Sequence, residues 1–341
     1  MTAVDYGIKS LRQVQMSRET AIGTPGATWF AWRGPALLDD QRVSVFADED
    51  IGIFGGVDRQ YFPQLRGELS MPSHAATFEQ ICHLLDAALG SATPAQDGAG
   101  SGYVRTYTMP LTAAQLKNAD DYQTYHIKAG DNVAVDAAGG AFVKNFGLAA
   151  NRGEALMLDA TWETQEVAQD LDGFETATIP TVEEILFLNA KLFIDSVGGT
   201  IGTTPIVGVF KSMGLTVDTG LVPVYTGDGS LSYSMFKLRQ PEIVLNVEFE
   251  HTAAVAAAER ENFRTGVPRL LRIDLAGTDL GTSGTYTTKL LRIDAAGKWA
   301  NFQPLGEDDG DDICTGEFRV RYNATAAKFF EMLLVNEVAA L

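Results

Sequence analysis

Two cysteines in 341 residues cannot make a disulfide framework. Cys82 falls inside a predicted helix and Cys314 begins a predicted strand, so both are expected to be structural thiols. Histidine is almost as scarce. None of His74, His83, His126 and His251 has a His or Cys partner at metal-ligand spacing within one element. Cys82 and His83 are adjacent, so on a helix they point in different directions. The chain has no Gly-x-Ser-x-Gly elbow, no Walker-type phosphate loop and no dinucleotide fingerprint. A carboxylate pair for glycoside chemistry needs no fixed spacing, yet no residue stands out for it. No catalytic residue, cofactor or metal ligand is therefore assigned, and an enzyme is not expected. The first residues lack the basic start and apolar run of a secretory signal. No run of eighteen apolar residues exists to span a membrane. The expectation is a soluble protein made in a reducing compartment.

Positive charge is also short. Lys and Arg number 26 against 44 Asp and Glu, giving a net charge of −18 and a pI of about 4.6. Such a surface repels a bare phosphate backbone, which argues against sequence-specific nucleic-acid binding. Apolar residues make up 45% of the chain, enough to bury a real core.

The strongest local signals lie in 36–90. Strand patterns at 41–46 and 64–71 flank a connection, 47–59, that holds Asp48, Glu49, Asp50, Asp58 and Arg59 together with three glycines. A tight hairpin turn needs two to five residues, and connections this long are functional or disordered. The segment 41–71 is read as a long hairpin that reaches a neighbour. Pro72 and Ser73, then Phe78, Ile81, Leu85 and Ala88, then Gly90, predict a helix over 73–89 with one buried face. Ahead of this, 1–35 reads as an N-terminal arm broken at Gly23-Thr24-Pro25-Gly26. Trp29, Phe30 and Trp32 are costly to leave in water and are expected to anchor it.

Alternation dominates the remainder. Over 154–167, Leu156, Leu158, Ala160 and Trp162 point one way, while Asp159, Thr161, Glu163 and Gln165 point the other. Over 242–251, Ile243, Leu245, Val247 and Phe249 oppose Glu242, Asn246, Glu248 and Glu250. Both are strands with one buried and one wet face. A second helix is predicted at 252–263, ended by Gly266 and Pro268, and 328–338 fits either strand or helix. The acidic run 306–312 has oxygen ligands suited to calcium but not the alternating pattern of the twelve-residue calcium loop, so a solvated loop is expected. An echo matches 143–153 with 210–220 through Lys144/Lys211, Gly147/Gly214, Leu148/Leu215 and Gly153/Gly220, which suggests pseudo-duplicated halves 36–170 and 184–341. The fold class is mainly β, with antiparallel sheets in a sandwich or barrel and flanking helices.

These features together resemble the tail tube (major tail) proteins of long, flexible-tailed bacteriophages. The resemblance rests on Glu19-Thr-Ala-Ile-Gly-Thr-Pro25, the strand, long loop, strand and helix order of 41–89, and the Gly147-Leu148 and Gly214-Leu215 strand turns. It also rests on the ending Phe318-Arg-Val-Arg-Tyr322 with Leu333-Leu-Val-Asn336. It implies a structural virion protein, made in the host cytoplasm. Its copies would stack as rings, usually of six tube folds, whose inner strands close into one barrel that conducts genomic DNA. It also implies a stacking hairpin at Asp48, Glu49, Asp50, Asp58 and Arg59, and tape measure, tail terminator and distal tail proteins as partners. Asp159, Glu163, Glu242, Glu248 and Glu250 are the expected bore-facing carboxylates. A single tube fold gives hexamers and a duplicated one gives trimers with pseudo-sixfold symmetry; the lack of a full-length sequence repeat favours the hexamer. The alternative is a β-sandwich binding module, a carbohydrate- or calcium-dependent adhesin.

Overall fold

Alternation of apolar and polar residues draws most of this chain into strands. In the segment Glu242–Glu250, Ile243, Leu245, Val247 and Phe249 are buried while Glu242 and Asn246 are exposed, the two-residue period of a pleat with one apolar face. The computed structural model describes residues 6–112, 115–116, 121–252, 256–281, 284–308 and 310–341. Among the described residues strands take 52%, in antiparallel sheets with two short helices, so the protein is mainly β. Residues 1–5 of the predicted arm, 253–255 of the second predicted helix and 309 of the acidic run lie outside the described residues.

The main elements of the first half are β1 (Gln13–Ala21), β2 (Leu37–Asp40), β3 (Val43–Phe46), β4 (Gln60–Gln64), β5 (Gly67–Ala75) and α1 (Ile81–Leu89). They continue with β6 (Tyr103–Thr108), β7 (Tyr125–Gly130), β8 (Val135–Asn151), β9 (Met157–Thr164) and β10 (Val167–Gln169). The second half has β11 (Ala190–Ser196), β12 (Phe210–Asp218), β13 (Leu221–Val224), β14 (Met235–Leu238), β15 (Glu242–Glu250) and α2 (Ala256–Thr265). It ends with β16 (Arg269–Asp279), β17 (Thr288–Asp308), β18 (Asp311–Val320) and β19 (Phe330–Asn336).

One pairing scheme occurs twice. In the first half β1 pairs with β7, β7 with the first part of β8, and that part also with β10. The second part of β8 pairs with β9, β9 with β5, β5 with β2, and β3 with β4. In the second half β11 pairs with β16, β16 with the first part of β17, and that part also with β19. The second part of β17 pairs with β18, β18 with β15, β15 with β12, and β13 with β14. A helix follows β5 and again β15. Of the elements named above, β6 alone has no counterpart; it pairs with β19. The long strands share a defect as well. β8 slips register against β9 between Val143 and Asn145, and β17 slips against β18 between Trp299 and Asn301. Lys144 and Ala300 are thus the extra residues of equivalent bulges, each followed by Asn-Phe.

The repeats run over 13–169 and 190–336, which differs from the halves expected from sequence. β1 falls in the segment expected to be an arm, yet it lies within the first repeat, with Val14 and Met16 buried and Gln13 to Arg18 paired with β7. The echo of 143–153 with 210–220 is not the repeat either. Those segments belong to β8 and β12, which lie side by side and antiparallel, with Leu148 opposite Leu215. What they share is turn chemistry, since Gly153 and Gly220 both take positive φ, 85° and 73°.

That β8–β12 pairing joins the repeats into one run of eight strands in the order β2-β5-β9-β8-β12-β15-β18-β17. The sheet does not close into a barrel. Among the described residues, β2 pairs only with β5, and the second part of β17 pairs only with β18.

The core lies against one face of this run. Leu69, Trp162, Phe146, Leu215, Leu245 and Phe318 belong to one buried cluster with α1. The first helix begins at Ile81 rather than Ser73, because Gly67–Ala75 stays extended and pairs Ala75 and His74 with Met157 and Leu158. Ladder pairing there overrides the Pro-Ser start signal. All nine helical residues are buried, where one buried face was expected; Gly90 ends the helix at a φ of 94°. The segment 328–338 resolves as the strand β19.

Candidate functional site

Residues directly opposite across a sheet point to the same side. Leu158, Leu148, Leu215, Leu245 and Phe318 form one such row across β9, β8, β12, β15 and β18, and all are buried. The neighbouring row, Asp159, Gly147, Thr216, Val244 and Arg319, therefore lies on the opposite face. Gly147 fits there because a Cβ on it would stand 2.5 Å from Asp159 Oδ1.

This second face is acidic, and it opposes like charges directly. Asp39 is opposite Glu68, and Glu68 is opposite Glu163; Asp218 is opposite Glu242. Carboxylates facing one another on adjacent strands are destabilising. Nearby groups offset part of this: Arg66 and Lys144 stand beside Glu163, Asp218 accepts from Gly220 N, and Asp39 accepts from Gln41 Nε2.

The five sequence-predicted carboxylates share this face but not one environment. Asp159 and Glu242 are exposed and Glu248 is half-buried. Glu250 is held 3.1 Å from Lys211 Nζ, which also reaches Asp308 at 2.6 Å. The hydrogen bond to Asp308 raises the Lys211 pKa, and the same contact lowers that of Asp308. Glu163 is buried, with Arg66 and Lys144 each 3.7 Å away. Burial pushes its pKa up, and Lys144 and then Arg66 pull it back down. Glu163 is thus covered by cations rather than open to solvent.

Of the residues read as an inter-ring contact, Asp48, Asp50 and Asp58 are exposed and Arg59 pairs with Glu49 at 2.9 Å. Ile51, Ile53 and Phe54 beside them are exposed too. β3 and β4 pair at the base of this connection, with Ala47 N donating to Arg59 O at 3.1 Å. The equivalent ladder β13–β14 behaves differently, burying Leu221 and Phe236 against Phe142 of the first repeat. Trp29, Phe30 and Trp32 pack on their own chain. Phe30 stacks on His83 at 4.0 Å, Lys128 Nζ lies 5.3 Å over Trp29, and Trp32 meets His74 edge-on.

Sequence reasoning missed Asp39, Glu68, Asp218 and Glu317 on the acidic face and the exposed Asn301 and Gln303 on the open β17 edge. The available signal was the repeat of Asp136-Ala-Ala-Gly139 as Asp294-Ala-Ala-Gly297, each followed shortly by Asn-Phe.

Among the described residues, no three His, Cys, Asp or Glu side chains are grouped to hold a metal ion. No helix among them is long and apolar enough to cross a membrane. No family model matches the chain, and no curated protein matches it.

Proposed function

We propose that this chain is a structural protein whose copies join edge to edge into rings that stack as a tube, in the manner of the phage tail tube proteins it resembles. Each repeat serves as one tube module, a sandwich whose inner sheet contributes four of the eight strands in the run. The observation that carries the reading is this run: one face apolar, the other acidic, and both end strands without an outer partner among the described residues. An open edge presents unpaired N–H and C=O groups and invites pairing. Closure of the run through neighbouring copies removes every edge and turns the carboxylate face toward a bore.

An acidic bore suits passage of DNA. Repulsion of phosphate keeps the polymer from sticking, whereas a basic wall binds it through counterion release and stalls it. With two modules per chain, the six tube folds of a ring come from three copies, so the trimeric alternative replaces the hexamer as the proposal. The β3–β4 hairpin with its exposed Ile51, Ile53 and Phe54 reaches the adjacent ring. Tape measure, terminator and distal tail proteins are the proposed partners at the bore and the tube ends, in a virion assembled in the host cytoplasm.

Sedimentation velocity across a concentration series tests this reading. The expected result is mass rising in steps of three chains, followed by rapidly sedimenting polymers. A single species of one chain at every concentration overturns it.

A further inference from the structure

The junction inside the chain is a template for the junction between chains. β8 and β12 are the equivalents of β17 and β2, the two strands with open edges. Their pairing runs without a register break from Asn145 opposite Asp218 to Asn151 opposite Ser212. The bulges at Lys144 and Ala300 fix the alignment of β8 on β17, placing Asn301 at the station of Asn145 and Gln303 at that of Gly147. On the other strand, β5 and β15 fix β2 on β12. Leu69 takes the station of Leu245, so Leu38 takes that of Leu215, Asp39 that of Thr216 and Gln41 that of Asp218.

We propose, resting on the ring-forming reading above, that β2 of one copy pairs antiparallel with the second part of β17 of a second copy, with Gln41 opposite Asn301 and Asp39 opposite Gln303. Backbone direction agrees. Gln41 N donates inward to Arg66 O at 2.9 Å, so by alternation the N–H groups of Asp40 and Leu38 point out of the open edge. The internal junction is bracketed by Thr219 N to Lys144 O and Arg152 N to Lys211 O, at 3.1 and 3.0 Å. Even-numbered residues of β8 thus exchange its hydrogen bonds, and the equivalent of Phe146 on β17 is Phe302. A second register shift, between Gln303 and Gly306, is absent from β8 and puts Gly306, opposite Ile313, at the station of Ala149, so the alignment of β17 on β8 is residue by residue from Asn301 to Gln303. Leu37 and Leu305 are 62% and 59% exposed on the two strands that would meet.

Asp39 and Gln303 form a non-hydrogen-bonded pair in this register, the type with the closest Cβ atoms, about 4.5 Å apart and within reach of a disulfide. Both are exposed and the two native cysteines are buried, so an Asp39→Cys/Gln303→Cys variant of the full chain can be oxidised with diamide after assembly. A non-reducing gel is expected to show a ladder of covalent multimers, absent from either single variant and from an Asp39→Cys/Asn301→Cys control shifted by two residues. Micrographs of the same samples separate the outcomes. Rings without the 39–303 disulfide, or with the 39–301 disulfide in its place, overturn the seam and leave the ring-forming reading standing. An unsubstituted protein that makes no rings overturns both.

Discussion

Asn145 and Asn301 each follow the bulge of a long strand and hold the same station in two repeats, but only Asn145 has a partner on its outer side, Asp218. Among the described residues no strand pairs with Asn301 there. One internal junction and two open edges follow from that asymmetry, and an edge can be blocked while its ladder inside the chain is kept. Asp40 is exposed at the edge of β2 and its N–H points outward. Asp40→Pro removes a donor that no ladder in the chain uses. It also removes a carboxylate that accepts from Arg42 N and Nε at the surface, so a loss of about 1 kcal/mol in urea is expected, while sedimentation shows assembly lost. Normal assembly by this variant contradicts the role given to β2.

A second prediction concerns the bore. Glu242→Lys/Glu248→Lys reverses two charges on the acidic face. The variant is expected to assemble, since neither residue lies on an open edge. Its tubes are expected to retain DNA at low salt and release it as salt rises, measured by co-sedimentation with labelled duplex. Equal retention by the variant and the unsubstituted protein removes the electrostatic argument.

Deleting 47–59 is expected to leave a folded subunit that still forms rings, because Gly67–Ala75 keeps its pairing with β9. Stacking is expected to fail, so micrographs show isolated rings. Tubes of normal length place the inter-ring contact elsewhere.

Glu259 holds the second repeat to its helix. It accepts a hydrogen bond from Trp299 Nε1 at 2.8 Å, pairs with Arg269 at 2.9 Å and is buried. Glu259→Ala leaves the guanidinium and the indole N–H without this partner. A loss of about 3 kcal/mol is expected, the scale for breaking a buried pair, with a smaller loss for Glu259→Gln, which keeps the acceptor for the indole. Equal urea midpoints for the two variants rule out a contribution from the indole hydrogen bond.

His83 gives acid sensitivity. It is buried against Phe30 and Tyr125, and burial, followed by Arg18 and Arg105, lowers its pKa from 6.5 to about 3. The unfolded chain binds a proton below about pH 6.5 that the folded chain refuses, so this contribution to stability falls as pH drops from about 6.5 toward 3. One proton is worth up to about 1.4 kcal/mol per pH unit. Urea unfolding at pH 7, 6, 5 and 4 is expected to show a shallower decline for His83→Gln than for the unsubstituted protein, whatever the variant's offset at pH 7. Parallel curves refute the assignment.

Local periods were legible and long-range pairings were not. The alternations of β9 and β15 are written in consecutive residues, so Asp159, Glu242 and Glu248 could be placed on one face from sequence. β1 escaped notice because its buried residues include Gln15 and Ser17, which break the apolar period; Gln15 is satisfied through Glu175, and the Ser17 hydroxyl donates to Gly26 O. The start of α1 was misplaced because a ladder partner 80-odd residues away, Leu158 opposite His74, keeps the chain extended past Ser73. Duplication was legible in outline, but its bounds and its strand partners were not, for a related reason. Asp136-Ala-Ala-Gly139 and Asp294-Ala-Ala-Gly297 match, but two more residues separate the first motif from its Asn-Phe than separate the second. The equivalence lies in strand partners rather than in letters.

Electron cryomicroscopy of the purified, concentrated protein viewed end-on tests the central claim most directly. The account predicts closed rings of three chains and six repeats around a hollow bore, with Asp159, Glu242 and Glu248 on the inner wall. Solitary chains, or rings that turn those carboxylates to the outside, contradict it.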